Sequence, residues 1–237
     1  MSRPFAVFDI DGTLIRWQLY HAIGDALAKQ GIIDAAKFQQ VRAARMNWKK
    51  RSSEDSFTEY EHQLIKVFDQ ALPGQAVSIL QAAIDTVFDE YKEQVYTYTR
   101  DLIQELKAKN YLLFAVSGSP SMIVQKMADY YGFDDWAATR YAVKNGRFTG
   151  EKDLSVTKKP ALLKQLISTH QADSKDSIGV GDSEGDISML ELTERPIAFN
   201  PTKQLFEHAK QQGWQIVLER KNVVYQLESR DGSYLLA

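Results

Sequence analysis

Residues 5–13 of the chain read FAVFDIDGT. The four apolar residues at the start of this stretch predict a short buried strand, which Asp11 and Gly12 end. Asp9 and Asp11 therefore stand at the carboxyl end of a strand, the edge where open α/β sheets bind ligands. Two carboxylates two positions apart on an extended chain point the same way, and they repel each other unless a cation or a shared proton lies between them. Mg²⁺ would supply that cation, because it prefers oxygen ligands and usually bridges them to phosphate.

The same pair of aspartates also begins ordinary turns and calcium-binding loops. In a calcium loop that starts at Asp9, the sixth position needs glycine and the twelfth needs glutamate. Those positions are Leu14 and Tyr20 in this chain. The calcium interpretation therefore fails, whereas an ordinary turn stays open for this motif taken alone.

After residue 97 the chain alternates between buried strands and helices. The predicted strands are Tyr111–Val116, Ser177–Val180, Pro196–Phe199 and a last strand at Trp214–Leu218, and the predicted helices are Ser119–Tyr131, Asp101–Lys109, Pro160–Ser168, Ile187–Leu192 and Thr202–Gln212. Asn145 and Gly146 predict the tight turn of a hairpin, because this pair readily supplies positive φ angles. The alternation predicts an α/β fold whose doubly wound, mostly parallel sheet carries helices on both faces.

Residues 16–96 have a different character. Apolar residues recur there at helical spacing, and Pro73 with Gly74 divides the block into separate helices. The block is too long for a loop and has its own apolar periodicity. We therefore predict an all-helical cap domain at residues 16–96, inserted into a core domain made of residues 1–15 and 97–237.

The composition excludes several classes of function. The chain has 237 residues and no cysteine, which rules out disulfides, zinc–thiolate sites and thiol catalysis. Its formal charge of −2 gives no general attraction to nucleic acid or to anionic membranes. The apolar runs Phe5–Phe8 and Tyr111–Val116 are too short for a signal peptide or a membrane span. We expect a cytoplasmic protein with neither a nucleic-acid nor a membrane partner.

A second acidic cluster follows the predicted strand at Ser177–Val180. Residues 181–186 read GDSEGD, which places Asp182 and Asp186 just beyond a strand end. The glycines do not fit a dinucleotide-binding loop, since their spacing is one residue too long and the acidic side chains would repel a pyrophosphate. A metal site explains this cluster as well as a solvated turn does.

Two further motifs lie at predicted strand–helix junctions. Residues 116–120 read VSGSP, and such a corner offers Ser117 and free backbone N–H groups to an anion, while Ser119 would cap the helix that follows. Lys158 and Lys159 stand at a predicted helix start, where cations oppose the helix dipole. An exposed lysine pair is the ordinary explanation, but phosphate and carboxylates nearby would also account for it.

The ordered set of DxDGT, a strand-end serine, a lysine at a helix start and GDxxxD resembles the haloacid dehalogenase-like hydrolase superfamily. Within it, the chain is similar to the subgroup that includes phosphoserine phosphatase, in which a helical cap follows the first motif. The resemblance covers about residues 4–218. It implies a Mg²⁺-dependent phosphatase that hydrolyses a small phosphorylated metabolite through an aspartyl-phosphate.

The resemblance also implies a role for each matching residue. Asp9 would be the nucleophile and a metal ligand, and Asp11 would be general acid and then base while its backbone carbonyl binds the metal. Ser117 would hold a phosphate oxygen. The other implied phosphate contacts are Gly12, Thr13, Gly118 and Lys159, and the other implied metal-site residues are Asp182 and, through water, Asp186. We favour Lys159 over Lys158 because Leu163 and Leu166 share the helical face of Lys159.

The substrate is less well specified by the sequence. Phosphoserine enzymes carry an acidic residue shortly after the first motif, whereas residues 15–18 here read IRWQ, which argues against phosphoserine. Arg42, Arg45 and Lys49 share one predicted helical face, and Arg45 is a candidate contact to an anionic or aromatic substrate. A solvated basic face is the alternative. Phosphotransfer or mutase chemistry on the same aspartate, phosphate-ligand binding without catalysis and a nucleic-acid-binding cap remain open as other functions, and we expect a monomer or a homodimer.

Overall fold

The computed structural model describes residues 2–53, 55–153, 158–230 and 233–236. Its strands are β1 (Pro4–Phe8), β2 (Leu112–Pro120), β3 (Asp135–Lys144), β4 (Arg147–Asp153), β5 (Asp173–Gly181), β6 (Arg195–Phe199), β7 (Gln215–Arg220), β8 (Val223–Arg230) and β9 (Ser233–Leu236). Within the described ranges these nine strands form one sheet in the order β4-β3-β2-β1-β5-β6-β7-β8-β9.

Parallel pairing dominates the sheet. β1 pairs in parallel with β2 on one side and with β5 on the other, and β3, β6 and β7 extend this parallel arrangement. Only β8 and β9, among the pairings described, join the sheet in the antiparallel direction. The predicted α/β fold with a mostly parallel sheet is confirmed. Because β2, β1 and β5 are adjacent and parallel, the residues at their carboxyl ends meet at one edge.

The helices are α1 (Leu19–Lys29), α2 (Ala35–Lys49), α3 (Ser56–Ala71), α4 (Val77–Tyr91), α5 (Thr97–Ala108), α6 (Ser121–Tyr131), α7 (Lys159–His170), α8 (Ile187–Leu190) and α9 (Lys203–Gln212). Apolar side chains from α7 and α9, such as Leu163 and Leu205, are fully buried in one cluster with Phe5 and Phe114 of the sheet. This burial fixes α7, and therefore its first residue Lys159, against the central strands. No helix of the described chain is long and apolar enough to cross a membrane.

The chain divides into two compact units. The first comprises Met1–Gln18, Tyr91–Arg140 and Leu154–Ala237, and the second comprises Leu19–Glu90 and Tyr141–Asp153. The second unit thus contains α1 to most of α4 and also the hairpin segment, which the sequence did not assign to the cap. Backbone hydrogen bonds attach that hairpin to the turn between α3 and α4, since Gly74 N donates to Phe148 O and Val77 N to Gly146 O. The domain boundary at residues 16–96 stays a prediction.

Glu219 joins three segments of the first unit. Its buried carboxylate accepts hydrogen bonds from the backbone N–H groups of Thr97 (3.1 Å) and Tyr98 (2.9 Å) at the start of α5. It also pairs with Arg16 Nη2 at 2.7 Å. A carboxylate is favourable at a helix N-terminus, because the free N–H groups and the helix dipole both attract negative charge. The segments that enter and leave the helical insertion are therefore held by one side chain.

Two expectations about local structure were wrong. The strand predicted at Trp214–Leu218 is not the last one, because the chain continues through β8 and β9 in antiparallel hairpins. Ser119 does not cap a helix: β2 runs on to Pro120, α6 begins at Ser121, and Pro120 occupies the cap position. The antiparallel strands were missed because their exposed, mixed-polarity sequence lacks the apolar run of a buried parallel strand.

Candidate active site

The site is built on the tight turn that follows β1. Asp9 continues the strand pairing by donating its N–H to Val180 O at 3.0 Å, and Ile10 O then accepts the N–H groups of Leu14 and Ile15, each at 2.9 Å. Gly12 adopts a φ of +88°, a left-handed conformation that side chains rarely tolerate. The turn thereby brings Asp9 and Asp11 together at the edge of the sheet.

Three carboxylates converge beside this turn. One oxygen each from Asp9, Asp182 and Asp186 lies within 4.8 Å of the other two. Gly12 allows the turn to lie directly against Asp182, since a Cβ at that position would stand 2.1 Å from Asp182 Oδ2. Hard oxygen ligands at this spacing are the donor set that Mg²⁺ prefers. The residues present therefore fit a divalent ion.

Asp186 organises the loop that carries Asp182. Its Oδ2 accepts hydrogen bonds from Asp182 N (3.1 Å), Ser183 N (3.0 Å) and Ser183 Oγ (3.1 Å). Asp186 and Ser183 form a reciprocal capping box around the 3₁₀ turn at Glu184–Asp186. The other carboxylate oxygen, Oδ1, accepts from Lys159 Nζ at 2.6 Å. Asp186 thus both shapes the loop and lies inside the charged centre.

Lys159 supplies the cation of this centre. Its Nζ lies 2.7 Å from Asp9 Oδ1 as well as 2.6 Å from Asp186 Oδ1, and its side chain is only 4% exposed. Lys158, one residue earlier, is exposed. The face of α7 that holds Lys159 also buries Leu163 and Leu166, as its helical spacing predicts. The structure therefore brings Lys159 and not Lys158 to the carboxylates.

The charged groups perturb one another strongly. Burial raises the pKa of Asp9 to about 7, with Asp186 and Asp11 adding to the rise and Lys159 opposing it. Burial also raises the pKa of Asp182, and the neighbouring Asp9 and Asp186 charges add to this. For Lys159 burial favours a lower pKa, but the Asp186 and Asp9 carboxylates outweigh it and hold the pKa above the ordinary lysine value. Strongly shifted groups in one cluster are typical of functional sites.

Two serine hydroxyls meet Asp11 at the end of β2. Ser117 Oγ donates to Asp11 Oδ2 at 3.1 Å, and Ser119 Oγ donates to the same oxygen at 2.8 Å. Ser119 N also donates to Ser117 Oγ at 3.0 Å. Both serines are buried, whereas Asp11 and Gly118 are partly exposed. Gly118 O accepts from Thr139 Oγ1 at 2.7 Å, which ties this corner to β3.

The two remaining candidates are Thr13, which lies within the turn after β1, and Arg45, which lies in the second unit. Thr13 is fully buried, and its carbonyl accepts a hydrogen bond from Thr99 Oγ1 at 2.9 Å, so it joins the turn to α5. Arg45 is on α2 in the second unit, where it lies close to His21. Burial, followed by the Arg45 charge, lowers the pKa of His21 to about 4. The substrate role suggested for Arg45 stays a prediction.

Sequence reasoning missed Ser119 and Ser183 as members of the site. Ser119 was interpreted as a helix cap, although its position two residues after Ser117 on a strand places both side chains on one side of the sheet. Ser183 carried a visible signal as well, since a serine three residues before Asp186 is the pattern of a capping box. Ser119 was thus given a local role without its long-range partner Asp11, whereas Ser183 was given no role although its partner is only three residues away.

The family model of haloacid dehalogenase-like hydrolases matches residues 6–191. A phosphoserine phosphatase of Lactococcus lactis is 32% identical over 207 residues, covering 84% of each chain. A histidinol-phosphatase of Neisseria meningitidis is 23% identical over 231 residues, covering 91% of this chain and 98% of the relative. These matches confirm the family resemblance that the motifs indicated.

Solved structures share the same fold. A protein of unknown function from Bordetella pertussis superposes with a TM-score of 0.73 at 23% identity, covering 91% of this chain and 98% of its own. A phospho-aspartyl intermediate analogue of phosphoserine phosphatase superposes with a TM-score of 0.63 at 22% identity, covering 94% and 96% of the two chains. At these identities the likeness concerns the fold alone.

Proposed function

We propose that this chain, which belongs to the haloacid dehalogenase-like hydrolase family, is a Mg²⁺-dependent phosphatase that acts on a small phosphate monoester through an aspartyl-phosphate on Asp9. The observation that carries the proposal is the buried contact of Asp9 with Lys159, with Asp11 placed two residues away against two hydroxyl donors. An aspartate held beside one cation and a nearby acid–base carboxyl is suited to accept and release a phosphoryl group.

The acidic cluster would hold the magnesium ion. Asp9 and Asp182 would offer carboxylate oxygens and Asp11 its backbone carbonyl, while Asp186 would support the site through water and through the loop that it holds. When bound, the ion would neutralise the negative charge of these groups and of the phosphate, and it would favour the ionised form of Asp9. Without it, the raised pKa leaves a large part of Asp9 protonated at neutral pH.

In the first step, an Asp9 carboxylate oxygen would attack the phosphorus of the ester. The bond from phosphorus to the leaving oxygen breaks, and Asp11 gives its proton to that oxygen, so that an alcohol departs. Lys159 offsets negative charge between Asp9 and the phosphoryl group, and Ser117 with the Gly118 N–H binds phosphate oxygens. These contacts position the reacting groups and stabilise charge, which supplies most of the catalysis in phosphoryl transfer.

In the second step, water would attack the phosphorus of the aspartyl-phosphate. Asp11, which is now ionised, takes a proton from this water, and the bond between phosphorus and the Asp9 oxygen breaks. Inorganic phosphate leaves, Asp9 is again a carboxylate and Asp11 is again an acid. The sum is one ester and one water converted into one alcohol and one phosphate, with both side chains restored.

The substrate class is a small phosphorylated metabolite. The relatives named above as phosphoserine phosphatase and histidinol-phosphatase support an alkyl phosphate that carries an amino group. Arg16 pairs with Glu219 and lies over the Tyr96 ring, and Trp17 stacks on Tyr91, so residues just after the first motif are engaged with the first unit itself. Residues 15–18 contain none of the acidic side chains that the resemblance associates with phosphoserine. The compartment and the oligomeric state stay predictions.

The test is phosphate release by the purified full chain from O-phospho-L-serine, histidinol phosphate and 4-nitrophenyl phosphate. Each ester is assayed with Mg²⁺ and with EDTA, beside Asp9→Asn and a matched control, Asp129→Asn, which changes an exposed aspartate on α6. We expect release that requires Mg²⁺, disappears in Asp9→Asn and is unchanged in Asp129→Asn. Acid quenching during turnover should leave one phosphoryl group on the peptide that contains Asp9.

Three results would contradict the proposal. Equal release by wild type and Asp9→Asn would exclude a phospho-aspartate at this position. Release that appears only when an acceptor alcohol or a second phosphorylated compound is added would indicate phosphotransfer instead of hydrolysis. Binding of the esters without any release would favour a ligand-binding function.

A further inference from the structure

Ser119 makes a contact that the proposed mechanism has not yet used. Its hydroxyl donates to Asp11 Oδ2 at 2.8 Å, and the residue is 3% exposed. The register of β2 against β3 shifts between Val116 and Pro120, and this irregular end of the strand carries both serines to the β1 turn. The buried Ser119 hydroxyl therefore donates its hydrogen bond to one particular oxygen, at an ordinary hydrogen-bond distance.

From this contact we infer that Ser119 is a positioning residue for Asp11. It keeps Oδ2 as the hydrogen-bond acceptor, so that Oδ1 carries the proton that Asp11 gives to the leaving oxygen. The inference rests on the proposed function. A protonated carboxyl has one oxygen that bears the proton and one that mainly accepts. Two hydroxyl donors on Oδ2 assign the accepting role to that oxygen.

Ser117 cannot perform this task during the reaction. A serine hydroxyl has a single proton to donate. In the structure Ser117 gives it to Asp11 Oδ2 at 3.1 Å, but in the proposed mechanism the same proton goes to a phosphate oxygen. Once the ester is bound, Ser119 is the hydroxyl of this pair that continues to hold Oδ2.

The backbone of Ser119 serves the site in a second way. Its N–H donates to Ser117 Oγ at 3.0 Å and therefore orients the phosphate-binding hydroxyl. Replacement of Ser119 by alanine keeps this N–H and removes only the side-chain hydroxyl. The variant should therefore disturb the orientation of Asp11 while leaving the hydrogen bond that orients Ser117 in place.

The test compares two leaving groups. An alkyl alcohol is a poor leaving group and needs the proton of Asp11, whereas 4-nitrophenolate departs without one. In Ser119→Ala, kcat/KM should fall about 10- to 100-fold for the alkyl ester, O-phospho-L-serine or histidinol phosphate, because general acid catalysis contributes about 10²–10⁴-fold and is only partly lost. For 4-nitrophenyl phosphate it should fall less than about 3-fold. Because kcat/KM reports the steps up to loss of the leaving group, the comparison isolates the first transfer.

Three further measurements keep the result specific. Ser119→Thr retains a hydroxyl and should recover most of the alkyl-ester activity. In an Asp11→Asn background, Ser119→Ala should have no further effect on the alkyl ester, because residues that act through one group are not additive. KM for the alkyl ester should stay within about 3-fold of wild type, since positioning of the acid acts on the transition state.

The outcomes separate this inference from the proposed function. If wild type hydrolyses neither ester, the proposed function fails before Ser119 is tested. If wild type is active but Ser119→Ala slows both esters equally, or slows neither, the positioning role is overturned and the phosphatase stands. If Ser119→Ala does not fold, the leaving-group ratio of Ser119→Cys, which keeps a weaker donor of similar size, decides between the same two results.

Discussion

Removal of the buried cation gives the sharpest test of the charged centre. Lys159→Met keeps an unbranched side chain of similar length but removes the contacts of Nζ with Asp9 Oδ1 at 2.7 Å and Asp186 Oδ1 at 2.6 Å. At an effective dielectric constant of about 20, each contact gives about 6 kcal/mol of Coulomb attraction, which the cost of desolvation largely offsets. Loss of one partner from a buried ion pair costs about 3–5 kcal/mol, because the other charges are left uncompensated.

The loss should depend on pH with a defined sign. The pKa of Asp9 is raised from its ordinary value of 3.8 to about 7. Its contribution to the free energy of unfolding is therefore fully present at low pH and is lost as the pH rises through 7. Without Lys159 the pKa of Asp9 rises further. Wild type then stops losing stability from this group above about pH 7, whereas the variant continues to lose it until its higher pKa is passed. The difference from wild type should therefore widen by roughly 1–2 kcal/mol between pH 6 and pH 8.

The assay is urea unfolding of the metal-free protein in EDTA at pH 6 and pH 8, followed by circular dichroism. Lys158→Met is the matched control, since it removes a neighbouring lysine that is exposed. Mg²⁺ should restore more stability to Lys159→Met than to wild type, because a divalent ion replaces part of the missing positive charge. If Lys159→Met and Lys158→Met unfold within about 1 kcal/mol of each other at both pH values, the reasoning about this ion pair is refuted.

Two further predictions concern Gly12 and His21. Gly12→Ala should reduce Mg²⁺-dependent activity by more than about 100-fold, because its Cβ would stand 2.1 Å from Asp182 Oδ2. Gly74→Ala is the control, since Gly74 has a similar φ but open space around it, and this change should cost only about 1–2 kcal/mol of stability and little activity. Similar activity in both variants would contradict the steric argument. Because burial lowers the pKa of His21 to about 4, the unfolded state takes up the proton first, so stability should fall by up to about 3 kcal/mol as the pH drops from 6.5 to 4. His21→Gln should flatten this part of the stability–pH curve while His62→Gln, at an exposed position, leaves it unchanged, and an equal effect of both would reject the explanation.

The sequence was sufficient for most of the parallel part of the sheet, but not for the segment Asp135–Thr139, by which β3 pairs with β2. Phe5–Phe8 and Leu112–Val116 are buried on both faces of the sheet, so these strands appear as continuous apolar runs between turns. The two C-terminal strands were not predicted, because Val223–Arg230 is mostly exposed and its polar residues do not mark a core face. A hairpin was predicted at Tyr141–Phe148, but the grouping of Tyr141–Asp153 with the helices depends on long-range hydrogen bonds that no local pattern encodes.

The candidate site could likewise be predicted where a local sequence pattern marks a residue, and not where a residue's role depends on a distant partner. The choice of Lys159 over Lys158 followed from helical periodicity, because the face that buries Leu163 and Leu166 is the face that packs on the sheet. The role of Ser119 did not follow, since helix capping is the commoner use of a serine before proline and was the nearer explanation. Its partner lies 108 residues away, and that distance is bridged only by strand order.

Strand order is also what unites the site as a whole. The contact of Lys159 with Asp9 joins residues 150 positions apart, yet it needs only that α7 packs beside β1 and that β5 lies next to β1. With β2 on the other side of β1, the serines of one strand end and the carboxylates of two others reach the same edge. Each motif is a short local pattern that occurs in ordinary turns, and it becomes part of one charged centre because three adjacent parallel strands end together. A shift in the register of β1 would therefore move Asp9 and Asp11 away from the serines, from Lys159 and from Asp182 at once, although none of these side chains would have changed.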